Sequence, residues 1–481
     1  MKIDELAGHS IVVLGMGIEG CGTLRFLLST FPGKTIGIAD RLPFDRLQPD
    51  LRALVDAHPH VNVHCGESYL SSVANYDVIV KSAGISINVL RERNVLRETH
   101  VLLSHTTLFF DYCRGTIIGV SGTKGKSTTS SLIFTILKRA NKNVRLIGNI
   151  GISALDCLRD DQPDSIYVYE LSSYQLETLQ KGPHISVLLN IMPEHLDYHG
   201  GFSAYADAKL NLIRFQCEND FLIYNQDCPQ LSQKIHNVCR AHKISFSLQS
   251  KHFPGYSIAG DAIVEWVDAD RENVIASTGD VPLIGSFNLY NALAAVSTAR
   301  IVNVSSDVIR EALRTFTPLE HRIEPVGVYR GVLFYNDSIS TVPQCTMAAM
   351  NALGENVKTI ILGGHDRGVD YTELGEFLAA KSLKNVILFP STGPKIWNLM
   401  KKANPAIVET TRCLETTTMR EAVSFAYEHT APGEICLLSP AASSYEFFKN
   451  FKERGRYYKQ YVKEIGESGE VDEMIQNPMN K

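Results

Sequence analysis

Residues 119 to 134, GVSGTKGKSTTSSLIF, set Gly119, Gly122 and Gly125 beside Lys124, Lys126 and a run of hydroxyls before the chain turns apolar. Glycine lets backbone N–H groups approach a ligand closely, lysine brings positive charge, and hydroxyls can ligate a hard cation. That combination suits a phosphate. The standard G-x-x-x-x-G-K-[ST] pattern is met imperfectly, because residue 120 is valine and the nearest glycines are 119 and 122. The order of strand, glycines, lysine and hydroxyl is kept, so the loop is expected to hold the phosphates of ATP. Lys126 would reach phosphate as a point charge, and the hydroxyl of Ser127 or Thr128 would hold Mg²⁺.

Glu170 ends the apolar run IYVYE. A carboxylate at the carboxyl end of a strand near a phosphate loop is placed to ligate Mg²⁺; the alternative is a solvated strand-end acid. The segment NIMPEHLDYHG, from Asn190, collects His195, Asp197 and His199. With no thiolate nearby, contact of one of them with Mg²⁺ is expected rather than a transition-metal site, and His199 reads as a solvated loop histidine. Lys209, in YADAKLNLI, reads from amphipathic spacing alone as a surface lysine. Gly15, Gly17 and Gly20 form G-x-G-x-x-G after a strand, and Asp40 closes the next strand, as in the dinucleotide fingerprint. A nicotinamide-dependent oxidoreductase is the rival reading this supports. Such a turn accepts any diphosphate, however, and a second phosphate-type turn in one chain suggests ATP plus a nucleotide-linked substrate.

The elements that must carry these residues are legible as alternating apolar and amphipathic segments. Apolar runs at 11 to 17, 35 to 40 and 77 to 84 predict a first parallel α/β unit. A second begins with TIIGV at 116 to 120, followed by the helical spacing of Leu132, Ile136 and Leu137, and includes strands at 166 to 170 and 185 to 190. A third has strands at 331 to 337, 359 to 364, 386 to 390 and 434 to 439. The expected domains are 1–103, 104–318 and 319–481, with TPLEHR as the last linker. A chain of 481 residues agrees with a count of about three at ~150 residues each.

Hydrophobic content of 44% and charged content of 21% are ordinary for a globular protein, and a net charge of −5 gives no reason to expect nucleic acid or an anionic membrane as partner. No stretch approaches the ~20 apolar residues of a membrane span, so a cytoplasmic protein is expected. Ten cysteines without a C-x-x-C pair suggest reduced thiols rather than a zinc knuckle or disulfide framework. The polar tail after residue 466 reads as frayed.

GTKGKST, IGNIG, YELSSYQLE, PEHLDYHG, DAKLNL, FNLYNALAA, EHRIE, NDS and LLSPAASSYEFFKNFKERG recur in this order in the Mur ligases of peptidoglycan synthesis, which the chain resembles over nearly its full length. The resemblance is closest to the members that join glutamate to UDP-N-acetylmuramoyl-L-alanine. It implies three α/β domains: an N-terminal Rossmann-like UDP-binding domain, a central P-loop ATPase-like parallel sheet and a C-terminal Rossmann-like glutamate domain. ATP would phosphorylate the substrate carboxylate, and the glutamate amine would attack the acyl phosphate. Gly122, Thr123, Lys124, Gly125, Lys126, Ser127 and Thr128 would bind ATP phosphates, with Asn288 and Asn291 near adenine and Arg322 and Asp337 reaching the nucleotide on domain closure. Lys126, Glu170, His195 and Lys209 would be catalytic, and Ser127, Glu170, His195 and Lys209 would serve two Mg²⁺ sites, Lys209 as a CO₂-derived carbamate. This reverses the surface reading of Lys209. Gly17, Ile18, Glu19, Gly20, Asp40, Arg41, Ser82, Ala83, Gly84, Asn149 and Ser172 would bind the UDP substrate, and Thr341, Arg367, Ser444 and Phe451 the glutamate. A monomer is expected.

Two positions depart from the pattern of the D-glutamate-adding members. They usually read D-S-K-A-T, where this chain has Asp337-Ser338-Ile339-Ser340-Thr341, and a lysine in a later glycine-rich turn is Arg367 here. Arginine keeps the charge and can clasp a carboxylate with two bonds, but it fills different space. D-glutamate is the expected substrate and L-glutamate the alternative, because inverting the α-carbon redirects amine and carboxylate. Outside this reaction stand another ATP-dependent ligase, such as a folylpolyglutamate synthetase, a non-catalytic ATP-binding module and the oxidoreductase.

Overall fold

A computed structural model of the protein describes residues 3 to 468. The first sheet is formed by β1 (Ile11–Leu14), β2 (Ile36–Asp40), β3 (Val61–Cys65), β4 (Val78–Lys81) and β5 (Val101–Ser104), all parallel in the order 3-2-1-4-5. β1 and β4 are buried along their whole length, which is why they read as continuous apolar runs rather than alternating ones. One face packs Leu24, Leu27 and Leu28 of the helix Ile18–Thr30, and the other packs Val73, Leu90 and Val95.

The second sheet comprises β6 (Thr116–Ser121), β7 (Val144–Gly148), β8 (Ile166–Glu170), β9 (Ile185–Leu188), β10 (Phe221–Asn225), β11 (His242–Ser247), β12 (Gly255–Ala259), β13 (Ala262–Trp266) and β14 (Glu272–Ser277). Its order is 14-13-12-11-10-9-6-8-7, parallel from β7 to β12 and antiparallel over the last two pairs. β10 to β14 were not foreseen. Their tyrosines, serines and glutamates interrupt the apolar runs, and β14 is exposed over its first residues. A hairpin signal was present in Gly260-Asp261, where Gly260 takes φ 63° between β12 and β13.

The third sheet holds β15 (Glu324–Tyr329), β16 (Val332–Asn336), β17 (Val357–Gly363), β18 (Asn385–Phe389), β19 (Arg412–Glu415) and β20 (Ile435–Leu438), ordered 15-16-20-17-18-19 with only β15 antiparallel. Leu374, Leu378 and Ile396 cover one face, and Tyr458, Val462 and Val423 the other. The α/β class expected from the alternating pattern is the class observed.

Two compact units emerge from these sheets. One contains the first two sheets, residues 1–281 and 288–316, and the other contains residues 282–287 and 317–481. The return of Pro282–Phe287 to the second unit, where Ile284 and Phe287 join its core, had no sequence signature. Glu467 and Ser468 close the helix Phe451–Ser468, and the rest of the tail read as frayed lies outside the described residues.

Gly20 explains one of the glycines in the first turn. A Cβ on Gly20 would collide with the Gly15 carbonyl, so only glycine lets the helix Ile18–Thr30 lie this close to the turn. Gly20→Ala should destabilise the protein by about 1–3 kcal/mol through overpacking, read as a lower urea midpoint. An unchanged midpoint would mean that the turn has slack.

Candidate active site around the phosphate loop

β6 delivers the loop and the helix Lys126–Arg139 receives it. Gly125, at φ 88°, is the N-cap residue, and a Cβ there would strike Asn291 Oδ1. No side chain caps this helix, which favours an anion at its positive end. Gly119 has a different purpose. Buried within β6, its Cβ would meet Leu212 Cδ1 at 2.8 Å and Pro183 Cγ at 2.9 Å, so it answers to packing. The loop is pinned from β9's exit: Thr123 N donates to Asn190 O (2.9 Å), Lys124 N to Asn190 Oδ1 (2.8 Å), and Asn190 Nδ2 returns to Lys124 O (3.0 Å). Thr123 Oγ1 also meets Tyr205 OH at 2.8 Å.

Two lysines converge on one oxygen. Lys126 Nζ and Lys209 Nζ each donate to Gly122 O at 2.9 Å, and Lys126 also donates to Thr123 O. Lys209 is 1% exposed, beneath the loop on the helix Phe202–Arg214, with its ammonium 5.0 Å from the Tyr205 ring. Burial, then Lys126, drive its pKa well below the ordinary lysine value, against the opposing pull of Glu194 and Glu170. The surface reading of Lys209 fails because the lysine lies on the buried face of this helix, among Tyr205, Ala206, Leu212 and Ile213, while Ser203, Asp207 and Arg214 take the exposed face.

Glu170 is fully buried, so the solvated alternative also fails. Its Oε1 accepts from Asn149 Nδ2 (3.0 Å), while Oε2 is buried without a hydrogen-bond partner. A carboxylate oxygen left so is an acceptor suited to a cation. Lys124 pairs with Glu194 at 2.7 Å. His195, at φ 54°, packs on Tyr174 with ring centroids 5.0 Å apart. Desolvation lowers its pKa, Glu194 opposes the shift, and Lys126 and Lys209 reinforce it. Asp197 is exposed. His199 is not a solvated histidine: it is 5% exposed, stacks on Tyr174 at 5.6 Å and shares a 3.0 Å hydrogen bond with Ser173 Oγ, burial pushing its pKa down to about 4. Among the described residues no three His, Cys, Asp or Glu side chains are arranged to hold a metal by themselves.

Asn291 reaches the loop helix by accepting from Thr129 Oγ1 (3.1 Å) and donates to Asn288 Oδ1 (2.9 Å), so this pair is held against the phosphate turn. Ser127 is half-buried in the helix's first turn, and Thr128 Oγ1 is buried without a partner.

The first sheet presents the other turn. Ser82 Oγ donates to Gly15 O (2.6 Å), and Asp40 accepts from Met16 N (2.6 Å) and Leu42 N (2.8 Å). Gly17 caps the helix Ile18–Thr30, whose Ile18 is exposed, as is Arg41. Gly17 and Gly84 have open space where a side chain would stand. Both oxygens of Glu19 are engaged, by Gln175 Nε2 (2.7 Å) and Ala83 N (3.1 Å), so its part is to fix the turn. Ser172 caps the helix Ser173–Leu176 and so leads from Glu170 to that contact.

Within the second unit, Asp337 follows β16, fully buried, accepting from Ser439 Oγ (2.8 Å) and Ile323 N (3.2 Å). Arg322 Nε is buried without a partner. Arg367 donates to Thr341 O at 3.1 Å from an exposed loop, and Ser444 is buried where Phe448 N donates to its carbonyl (3.0 Å). Phe451 stands edge-on to His321, and its carbonyl accepts from Ser338 Oγ (2.8 Å). Sequence reasoning missed Arg454. Its buried guanidinium donates to Ser338 O (2.9 Å), Ser338 Oγ (3.1 Å) and Ala442 O (3.1 Å), tying the run 337–341 to the loop after β20. Burial brings its pKa down to about 9, with Asp337 opposing.

A glycine loop between a parallel strand and a helix, faced by the half-buried Lys126, the buried Lys209 and an unpartnered carboxylate oxygen, defines a P-loop α/β nucleotide-binding protein. Residues 120–299 match the Mur ligase middle domain. The UDP-N-acetylmuramoylalanine--D-glutamate ligase of Acetivibrio thermocellus is 32% identical over 467 residues, covering 96% of this chain and 97% of the relative. That of Geobacillus kaustophilus is 33% identical over 468 residues, covering 97% and 100%. The chain therefore belongs to the Mur ligase family. Among solved structures, UDP-N-acetylmuramate-alanine ligase MurC of Thermotoga maritima superposes with a TM-score of 0.59 at 15% identity, covering 96% of this chain and 100% of its own. MurF ligase of the same organism, solved with ADP, gives 0.55 at 15% identity, covering 97% of both. These share the fold.

Asp337 yields a pH prediction. Burial, opposed by hydrogen bonds from Ser340 and Ser439, raises its pKa from 3.8 to about 6. The folded state then holds a proton that the unfolded state has released, so this stabilisation is complete below about pH 4 and is lost as pH rises through about 6. Relative to Asp337→Asn, the wild-type protein should lose on the order of 2 kcal/mol across that window in denaturant titrations. Parallel profiles would contradict it.

Proposed function

We propose that this chain joins glutamate to UDP-N-acetylmuramoyl-L-alanine at the expense of ATP, in cytoplasmic peptidoglycan precursor synthesis. The observation that carries the reading is the meeting of Lys126 and Lys209 on the Gly122 carbonyl, with Glu170 buried and half-partnered close enough to act on Lys209. The γ-phosphoryl group passes to the substrate carboxylate, breaking its bond to the ADP oxygen and forming an acyl phosphate. The glutamate amine then attacks the acyl carbon, expels inorganic phosphate and gives up a proton as the amide forms. Lys126 and the N–H groups of residues 122 to 128 hold phosphate charge where it builds up, so little covalent help is required. Asn288 and Asn291 belong to the nucleotide's base side, and the turns at 15 to 20 and 82 to 84 to the UDP group.

Lys209 is suited to carbamylation. A buried amine whose pKa is driven down is neutral more often, and the neutral amine adds to CO₂, releasing a proton and leaving an anionic carbamate. The carbamate removes one of two crowded cations and supplies oxygens beside Glu170 and His195. Mg²⁺ held there and at Ser127 would draw charge from the transferring phosphoryl group. Lys209→Ala should lose turnover and regain part of it with added short carboxylates. Rescue by amines instead would mean that an ordinary ammonium is needed.

D-glutamate is the proposed acceptor, supported by the relatives' activity. Ile339 and Arg367 favour L-glutamate as the second reading, because the run after Asp337 carries no lysine charge. Incubating the enzyme with ATP, UDP-N-acetylmuramoyl-L-alanine carrying ¹⁸O in its carboxyl group, and each glutamate isomer decides between them. The preferred isomer should form the amide and move ¹⁸O into inorganic phosphate. Turnover with neither isomer, or phosphate free of label, would end the proposal.

A further inference from the structure

Ala83 is held through both its N–H and its carbonyl, by Glu19 of the helix Ile18–Thr30 and by Tyr198 of the turn Leu196–His199. Its N–H donates to Glu19 Oε2, whose other oxygen accepts from Gln175 Nε2. Its carbonyl lies 3.0 Å from Tyr198 OH, which also lies 3.1 Å from Ile85 O and 3.2 Å from Glu177 Oε2. Beneath this hydroxyl the Lys81 side chain is buried completely, 3.4 Å from Glu177 Oε2 and donating to Ile85 O at 3.0 Å. Ser86 Oγ closes the ring of contacts on the Tyr198 carbonyl at 3.5 Å. A buried cation, a half-buried anion and a half-buried phenol thus lie in one knot between the first two sheets, each compensating the desolvation of the others.

The placement of Tyr198 gives the knot a consequence. It sits three residues after His195, in the single turn Leu196–His199 that His195 opens at φ 54°. Its ring is edge-on to Tyr174 at 4.3 Å, and Tyr174 is the ring on which His195 packs. Gln175 and Glu177 lie five and seven residues after Glu170 and belong to or adjoin the helix Ser173–Leu176. Both candidate metal-side residues are therefore connected to the 82–84 turn by fixed side chains.

We propose that Lys81, Glu177 and Tyr198 form a positioning cluster that couples the 82–84 turn to the His195 segment, so that seating the nucleotide-linked substrate also sets the imidazole for phosphoryl transfer. This rests on the ligase reading for the identity of the substrate, but not for the coupling. Tyr198→Phe removes one hydroxyl and keeps the ring. In the variant, amide hydrogen exchange should quicken several-fold in both 82–86 and 195–200 without any ligand. Added UDP-N-acetylmuramoyl-L-alanine should protect 195–200 in the wild-type protein and much less in the variant. In the ligase assay kcat should fall tenfold or more and the Mg²⁺ concentration for half-maximal rate should rise, with KM for ATP within twofold. Glu177→Gln, which keeps an acceptor for the phenol, should retain more of the coupling than Glu177→Ala. Unchanged exchange in both segments overturns the proposal whatever the activity, as does a rate loss matched by loss of folded protein. A wild-type enzyme that couples the two segments yet makes no amide would refute the ligase reading and leave the coupling standing.

Discussion

Two lysine ammonium groups within 2.9 Å of one buried carbonyl oxygen are the constraint around which the first unit is organised. Like charges so placed repel strongly where the dielectric is low, and neither can escape, since one is anchored in the loop helix and the other lies at 1% exposure on its own helix. The arrangement is relieved by anything that brings negative charge: a phosphate at the loop, a carbamate on Lys209, or the buried acid on β8. A phosphate bound at the loop would bring that charge from the ligand side. Loss of the Lys209 proton relieves the repulsion as well, in keeping with a pKa driven well below the ordinary lysine value.

The sheets exist to hold that crowding in place. β6, β8 and β9 are adjacent and parallel, so their carboxyl ends deliver the loop, Glu170 and Asn190 to one edge. Glycine at 119 and 125 allows close approach there, once to the helix of Lys209 and once to Asn291. The buried ring of Tyr205 lies beside the Lys209 ammonium, raising the electrostatic stakes by excluding water. In the second unit Arg454 serves a comparable end, since a guanidinium at 2% exposure fixes the run 337–341 by bonding to its backbone rather than to a carboxylate.

Motif order and strand periodicity were sufficient to read the α/β class, the strand-to-helix loop and the acid that ends β8. The sequence also marked Ile339 and Arg367 as departures from the pattern. It did not mark Arg454, because a lysine- and arginine-rich stretch such as FKERGRYYK reads as a solvated helix face, and nothing local says which of its cations turns inward. His199 was misread for the converse reason: a histidine among Asp, Tyr and Gly looks wet until Tyr174 stacks on it from a distant segment.

The chain by itself determined what repeats at short range: which runs are buried strands, where glycine must bend the backbone, and which residue types stand beside a phosphate. Tertiary structure alone decided burial and charge balance, because these depend on segments far apart in sequence. Lys209 and Gly122 are 87 positions apart, and Tyr198 and Ala83 are 115 apart. A pKa or an unpartnered oxygen is a property of what surrounds an atom on all sides, and a linear pattern records only two of its neighbours.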